Sequence, residues 1–163
     1  MKFFTQVNRI FFTAVILSSL VACSTNPYVA PTANQATATI KGFKTGTSIN
    51  NSDVARIKKI DDLNNSDAHD YNKEIIVTAG THTFTIETTV TRRFFSNNYS
   101  AESKIRTTLL AGHHYEVKTS TAKDLAKVWI VDHNGKINSE IVSQPLHMSK
   151  TQSPYMMAYL KTH

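Results

Sequence analysis

The longest regular pattern in the sequence runs from Thr81 to Arg92, where apolar and polar side chains alternate with a period of two. Side chains on one face of a strand recur at every second residue, so the pattern predicts a β-strand with one buried and one solvated face. Its β-branched and aromatic residues also favour a strand. The residues predicted to be buried are His82, Phe84, Ile86, Thr88 and Val90. The residues between them, Thr85 included, are predicted to face water. Since so long an amphipathic strand needs several partners, the chain is constrained to form a sheet.

Seven shorter segments also have strand character. They are Ala38–Phe43, Val54–Ile60, Glu74–Thr78, Ser103–Leu109, His114–Thr119, Lys127–Val131 and Ile137–Val142. Val54, Ile57 and Ile60 recur at intervals of three, which fits a strand only if a β-bulge interrupts it. Asp132–Gly135 is predicted to be a hairpin turn in which Gly135 supplies a positive φ. The predicted fold is all-β: one small antiparallel β-sandwich of about seven to eight strands over residues 38–143.

The N-terminus has the features of a bacterial secretory signal. Lys2 and Arg9 are basic, and the uncharged, mainly apolar stretch Ile10–Leu20 is about as long as the hydrophobic part of a signal peptide. It is too short to span a membrane comfortably. Leu20–Cys23 (LVAC) has the form of a lipobox, which predicts cleavage between Ala22 and Cys23 and a signal peptide over residues 1–22. The alternatives are an N-terminal membrane anchor and a buried core helix.

Cys23 is the predicted lipidation site, because a thiolate is the nucleophile that would accept a diacylglycerol group. Several acyl chains anchor a protein durably, whereas one binds reversibly. Since Ser24 rather than Asp follows the cysteine, we expect an outer-membrane lipoprotein of a Gram-negative bacterium, with its domain in the periplasm. Residues 23–37 are predicted to be a flexible tether reaching about 20 Å. Residues 144–163 are predicted to be a tail, with a short helix over Pro154–Leu160.

Composition narrows the classes of partner. Removal of residues 1–22 would also remove Lys2 and Arg9, which lowers the excess of basic over acidic residues from six to four. A modest basic excess suits an anionic envelope, and nucleic acid is not expected as a partner outside the cytoplasm. Because Cys23 is the only cysteine, no intrachain disulfide can form. The expected partners are the membrane, through the lipid, and a protein or other envelope component; no cofactor is expected.

Three segments carry a resemblance to a known group of proteins. Thr78–Ile86 (TAGTHTFTI), Leu110–Val117 (LAGHHYEV) and Val128–Gly135 (VWIVDHNG) resemble segments of small bacterial outer-membrane lipoproteins with PEGA-type or transthyretin-like β-sandwich modules. The resemblance implies a sandwich over about residues 38–142 and says little about activity. The chain departs from it at Asp61-Asp62, where such modules often have Asp-Gly and where a longer loop is expected here.

One loop is the main candidate for binding a partner. It follows the alternating strand and combines aromatic rings with groups that form hydrogen bonds, as protein interfaces do. Its candidate residues are Arg93, Phe94, Phe95, Asn97, Asn98 and Tyr99. The alternative is that Phe94 and Phe95 close the core at the end of a strand, since large apolar side chains are seldom left exposed together.

Histidines give a weaker, metal-binding hypothesis. His82, His113 and His114 lie near the starts of two predicted strands, and neutral imidazole binds zinc or copper. Adjacent histidines on a strand point to opposite faces, however, and no HExxH motif is present. A metal-binding periplasmic lipoprotein is therefore the first alternative function. No GxSxG or phosphate-binding loop is present either, so we predict that the protein is not an enzyme, with an unrecognised hydrolase as the second alternative.

Overall fold

The computed structural model describes residues 26–47, 51–92 and 98–148. Within these ranges the chain forms strands and no helix, which confirms the predicted all-β class. The helix predicted over Pro154–Leu160 lies outside the described residues. The strands are β1 Thr37–Lys41, β2 Phe43–Thr47, β3 Asn51–Ile60, β4 Leu63–Asn64, β5 Ile75–Thr78, β6 Gly80–Arg92, β7 Asn98–Leu109, β8 His114–Ala122, β9 Leu125–Asp132, β10 Val142–Pro145 and β11 His147–Met148.

These strands form the two sheets of a β-sandwich, as predicted. Sheet I has the order β10-β9-β8-β1-β5, and sheet II has the order β11-β7-β6-β3-β2, with β4 paired to β3. Neighbouring strands are antiparallel except for β1 and β8, which are parallel. The sandwich has more strands than the predicted seven to eight. The additional strands are short, two to five residues long, and lie where the sequence indicated loops or a tail.

The predicted central strand is β6, which pairs along its length with β7. The register runs from Gly80 opposite Leu109 to Thr91 opposite Asn98. Phe84, Ile86 and Val90 are buried, as the alternation predicted. The prediction for Thr85 was wrong, because it is only 2% exposed. It lies on the outer face between Lys59 of β3 and Lys104 of β7, and long flanking side chains of this kind can cover a small residue.

A bulge in β3 resolves the threefold spacing of its apolar residues. The register with β6 shifts between Ile57 and Lys59, so Ile57 lies opposite Ile86 and Ile60 lies opposite Phe84. Both isoleucines therefore reach the core despite their odd spacing, as the predicted bulge requires. Val54 does not share their face: it pairs with Thr89, which is one residue out of phase with the inward positions Thr88 and Val90.

The core lies between the sheets. It consists of Ala38, Ile40, Ala55, Ile57, Ile60, Ile75, Val77, Phe84, Ile86, Ile105, Leu109, Tyr115, Val117, Val128 and Ile130. The chain crosses from sheet I to sheet II at Gly42, between β1 and β2. A Cβ atom at this position would lie 2.4 Å from the carbonyl oxygen of Ala55, so only glycine permits such close contact between the backbones.

One open side of the sandwich is closed by residues that the sequence assigned to the tether. The Tyr28 N–H donates to the carbonyl of Asn64 (2.7 Å), and the Asn64 N–H donates to the carbonyl of Asn26 (2.9 Å). The Tyr28 hydroxyl donates to the carbonyl of Ile76 in sheet I (2.9 Å), and its ring packs against the core. The predicted flexible segment 23–37 must therefore be corrected, because Asn26–Tyr28 is bound to the folded domain.

The opposite side is closed by the segment that follows β9. Ile137 forms a bridge with Val131 of sheet I, and Ser139 forms one with Thr107 of sheet II. β10 then pairs with β9, and β11 pairs with β7. The strand predicted over Ile137–Val142 is thus displaced, because it begins at Val142. The sandwich also extends beyond the predicted boundary at residue 143.

Candidate functional site

The sandwich has two ends, which the long strands connect. One end carries the turns Asp61–Asp62, Leu110–His113 and Asp132–Gly135, and we call it the Asp61 pole. The other end carries Asp53, Arg92 and Thr121, and we call it the Asp53 pole. β6 runs from the first pole to the second, so the position of a residue between the two poles can be given by the β6 residue that lies beside it.

The N-terminal segment lies nearer the Asp61 pole. Asn64, which holds this segment, pairs with Lys59, and Lys59 pairs with Thr85 of β6. Seven residues of strand separate Thr85 from Arg92, which is about 23 Å. The bridge between Pro27 and Asn64 is parallel, so the segment Asn26–Tyr28 runs in the direction of β4, away from the Asp61 pole.

Most of the predicted binding loop lies outside the described residues: Arg93, Phe94, Phe95 and Asn97. Its other two residues begin β7. Asn98 is exposed, whereas Tyr99 is half-buried and lies opposite the buried Val90. Directly opposed residues share a face of the sheet, so Tyr99 lies on the inner face of a strand. The prediction that Tyr99 belongs to the loop is therefore corrected. The loop connects the ends of β6 and β7 at the Asp53 pole.

A closed hydrogen-bond cycle joins the two sheets beside this loop. Arg92 Nη1 donates to Asp53 Oδ1 (2.5 Å), and Arg92 Nη2 donates to Thr121 Oγ1. Thr121 Oγ1 donates in turn to Asp53 Oδ2 (2.6 Å). The Asp53 side chain is only 10% exposed, and that of Arg92 is 41% exposed. Sequence reasoning missed this cycle, although Asp53 at an inward position of a strand was a usable signal, since buried carboxylates are normally paired.

The three candidate histidines do not form a site together. His82 Nδ1 lies 2.6 Å from Asp61 Oδ2, and its Nε2 lies 2.8 Å from the carbonyl of Thr78. His114 Nδ1 lies 2.7 Å from the Thr39 hydroxyl. His113 instead packs near another ring, that of His133. In residues 26–47, 51–92 and 98–148 no three His, Cys, Asp or Glu side chains are placed to hold a metal ion.

The Asp61–Asp62 turn is tighter than the loop expected from the sequence. Ile60 pairs with Leu63, so only two residues connect β3 and β4. Both have positive φ, 49° for Asp61 and 64° for Asp62, a conformation that aspartate adopts more readily than most residues. The Asp61 carboxylate compensates for the strain, because it accepts from the Thr83 N–H (2.8 Å) and faces His82. This carboxylate therefore has a structural role.

A cleft of about 510 Å³ lies on the outer face of sheet I and reaches the Asp132–Gly135 turn. Its walls carry both signs of charge. Glu116 forms an ion pair with Lys118 (2.9 Å), and Lys118 also lies over the Phe43 ring, 4.2 Å from its centroid. Asp132 Oδ1 accepts from the N–H groups of Asn134 and Lys136 (both 2.9 Å). These charged groups therefore bind one another or the backbone.

Among the described residues, Tyr28 has a side-chain pKa that its environment clearly shifts. Burial raises the pKa of its hydroxyl, and the nearby negative charge of Asp61 raises it further. The hydroxyl therefore keeps its proton and the hydrogen bond to Ile76 at neutral pH. Its position between the two sheets makes it a structural group.

Comparison with family models, curated proteins and solved structures finds no match for this chain. Within the described ranges, no helix is long and apolar enough to cross a membrane.

Proposed function

We propose that this chain is a lipid-anchored protein of the bacterial cell envelope, held at the outer membrane through Cys23. Its β-sandwich would be a non-enzymatic module that binds a protein or another envelope component from the periplasmic side. The basic N-terminus, the apolar stretch Ile10–Leu20 and the LVAC motif at Leu20–Cys23 carry the anchoring part of the proposal.

The arrangement of the two poles supports the binding part. Asn26–Tyr28 is bound to the domain on the side of the Asp61 pole, whereas the loop after Arg92 lies at the Asp53 pole. The lipid would thus be displaced from the candidate binding loop toward the Asp61 pole. A loop carried by the twelve residue pairs of the β6–β7 hairpin has the rigid support that binding loops require.

Lipidation is tested by replacing the proposed acceptor. We expect wild-type protein to incorporate labelled palmitate and to fractionate with outer membranes, and we expect Cys23→Ser to do neither. A matched control is Ser24→Ala, which leaves the cysteine in place and should retain both properties. Palmitate incorporation by the Cys23→Ser variant would refute the proposed anchor.

The binding loop is tested by Phe95→Ser in the lipidated protein. We expect chemical crosslinking in envelopes to lose the adducts that wild-type protein forms, with an unchanged melting temperature. A large fall in melting temperature would instead assign Phe95 to the core, as the alternative interpretation of the sequence predicts. A Thr108→Ser variant, changed on an exposed strand position at the other pole, should retain the adducts.

A further inference from the structure

Exposed apolar side chains are found at the Asp61 pole, in positions where turns usually carry polar groups. Leu110 is 55% exposed and begins the turn between β7 and β8, followed by the exposed Ala111. Ile137 is 49% exposed and follows the Asp132–Gly135 turn. The two segments are joined, because Asn138 Nδ2 donates to the carbonyl of Thr108 (2.9 Å). Leu110, Ala111 and Ile137 are thus exposed apolar residues on two joined segments at this pole, and we call them the apolar tip.

The proposed anchor is close to the same pole. Only Ser24 and Thr25 separate Cys23 from Asn26, where the chain is bound to the sandwich. Three residues span at most about 10 Å, even when fully extended. The segment Asn26–Tyr28 runs away from the Asp61 pole, so its N-terminal end is the one nearer this pole. A lipid on Cys23 would therefore hold this end of the domain against the membrane surface.

We infer that the Asp61 pole docks on the lipid surface, with Leu110, Ala111 and Ile137 in contact with the membrane interface. This inference rests on the proposed lipidation of Cys23. The occupant is a lipid surface because only Ser24 and Thr25 lie between the proposed lipidation site and Asn26, at the end of the Asn26–Tyr28 segment nearer this pole. Two carboxylates at this pole already have side-chain partners, since Asp62 pairs with Lys104 (3.2 Å) and Asp61 lies against His82 (2.6 Å). Contact therefore depends on the apolar tip.

The test uses the full-length lipidated protein in vesicles of phosphatidylethanolamine and phosphatidylglycerol. Cys23 is the only cysteine, and its thiol is blocked once it carries the lipid, so Leu110→Cys provides one reactive thiol for an environment-sensitive fluorophore. Leu125→Cys is the matched control: Leu125 is 46% exposed and follows a turn at the Asp53 pole. We expect a blue shift and strong quenching by spin-labelled lipid at position 110, and neither at position 125.

Equal quenching at the two positions, or none at position 110 on vesicle-bound protein, would overturn the docking inference. A second label through Ile137→Cys should behave as position 110 does, which covers the case in which Leu110→Cys fails to fold. Intact mass separates the two proposals: protein without the lipid mass refutes the anchor itself, whereas lipidated protein with an unquenched label at 110 and 137 refutes only the docking.

Discussion

Two threonines on the same face of β8 should respond oppositely to the same substitution. Thr121 belongs to the cycle with Asp53 and Arg92, whereas the Thr119 hydroxyl is buried with no hydrogen-bond partner among the described residues. Replacement of threonine by valine removes the hydroxyl and keeps the shape of the side chain nearly constant. The comparison therefore isolates the contribution of the hydrogen bonds.

The magnitudes follow from what each hydroxyl contacts. Hydrogen bonds to charged groups contribute about 1.5–3 kcal/mol, and the partial exposure of Arg92 reduces this value. We expect Thr121→Val to lower the free energy of unfolding by about 1–2 kcal/mol. An unpaired buried polar group costs about 1–3 kcal/mol, so Thr119→Val should raise it by about 1 kcal/mol. A domain of this size changes its melting temperature by about 3–5 °C per kcal/mol, which separates the two variants by about 10 °C.

The assay is thermal and urea unfolding of the chain from residue 23 onward with Cys23→Ser, followed by circular dichroism. Combining Thr121→Val with Arg92→Met gives a double-mutant cycle, in which a closed network should cost less than the sum of the single changes. Equal shifts for Thr121→Val and Thr119→Val, or strict additivity in the cycle, would show that the Asp53–Arg92–Thr121 network contributes no stability.

Three further outcomes are expected. Phe84→Ala should lower the free energy of unfolding by about 3–5 kcal/mol because Phe84 is fully buried. Thr85→Ala should lower it by about 1 kcal/mol because this outer-face threonine is also covered, and urea titrations measure both values. Lys123 has a φ of 52° in the turn after β8, so Lys123→Gly should raise the melting temperature and increase the free energy of unfolding by about 1 kcal/mol. Lys127→Gly, within β9, should instead lower the melting temperature. The Tyr28 pKa is raised in the folded state above its ordinary value of 10.0, so the stability that its protonated hydroxyl contributes is complete below pH 10 and is lost as pH rises through the folded-state pKa. Wild-type protein should therefore lose more stability than Tyr28→Phe between pH 9 and pH 11, and parallel losses would contradict this assignment.

The sequence predicted those strands in which burial alternates. Ile105, Thr107 and Leu109 of β7 are buried as their spacing indicates, because successive side chains of a half-buried strand point alternately to the core and to solvent. A strand of two residues is too short to show this alternation in its sequence. β4 and β11 exist only because β3 and β7 offer them partners, so they could not be recognised locally.

The candidate site was less predictable because its contacts are distant along the chain. Asp53 and Thr121 are separated by 68 residues, and nothing near either one indicates the other. Tyr28 stands in an uncharged, proline-containing segment typical of a linker, yet its hydroxyl reaches Ile76 across the open side of the sandwich. Contacts of this kind depend on the finished topology, which local patterns do not specify.

Because the N-terminal segment is bound to the domain, it restricts the direction from which a partner can approach the candidate binding loop. A free tether over residues 23–37 would let the domain turn either pole toward the membrane within about 20 Å. With Asn26–Tyr28 bound to β4, only Ser24 and Thr25 separate Cys23 from the fold, so a lipid on Cys23 would leave the domain little freedom to turn. With the proposed lipid on Cys23, Arg92 at the end of β6 would lie on the side away from the lipid, about 23 Å beyond the level at which the chain joins the domain. A partner of this loop would therefore approach from the aqueous side, which favours a soluble protein or a polymer of the envelope over a neighbour embedded in the same membrane.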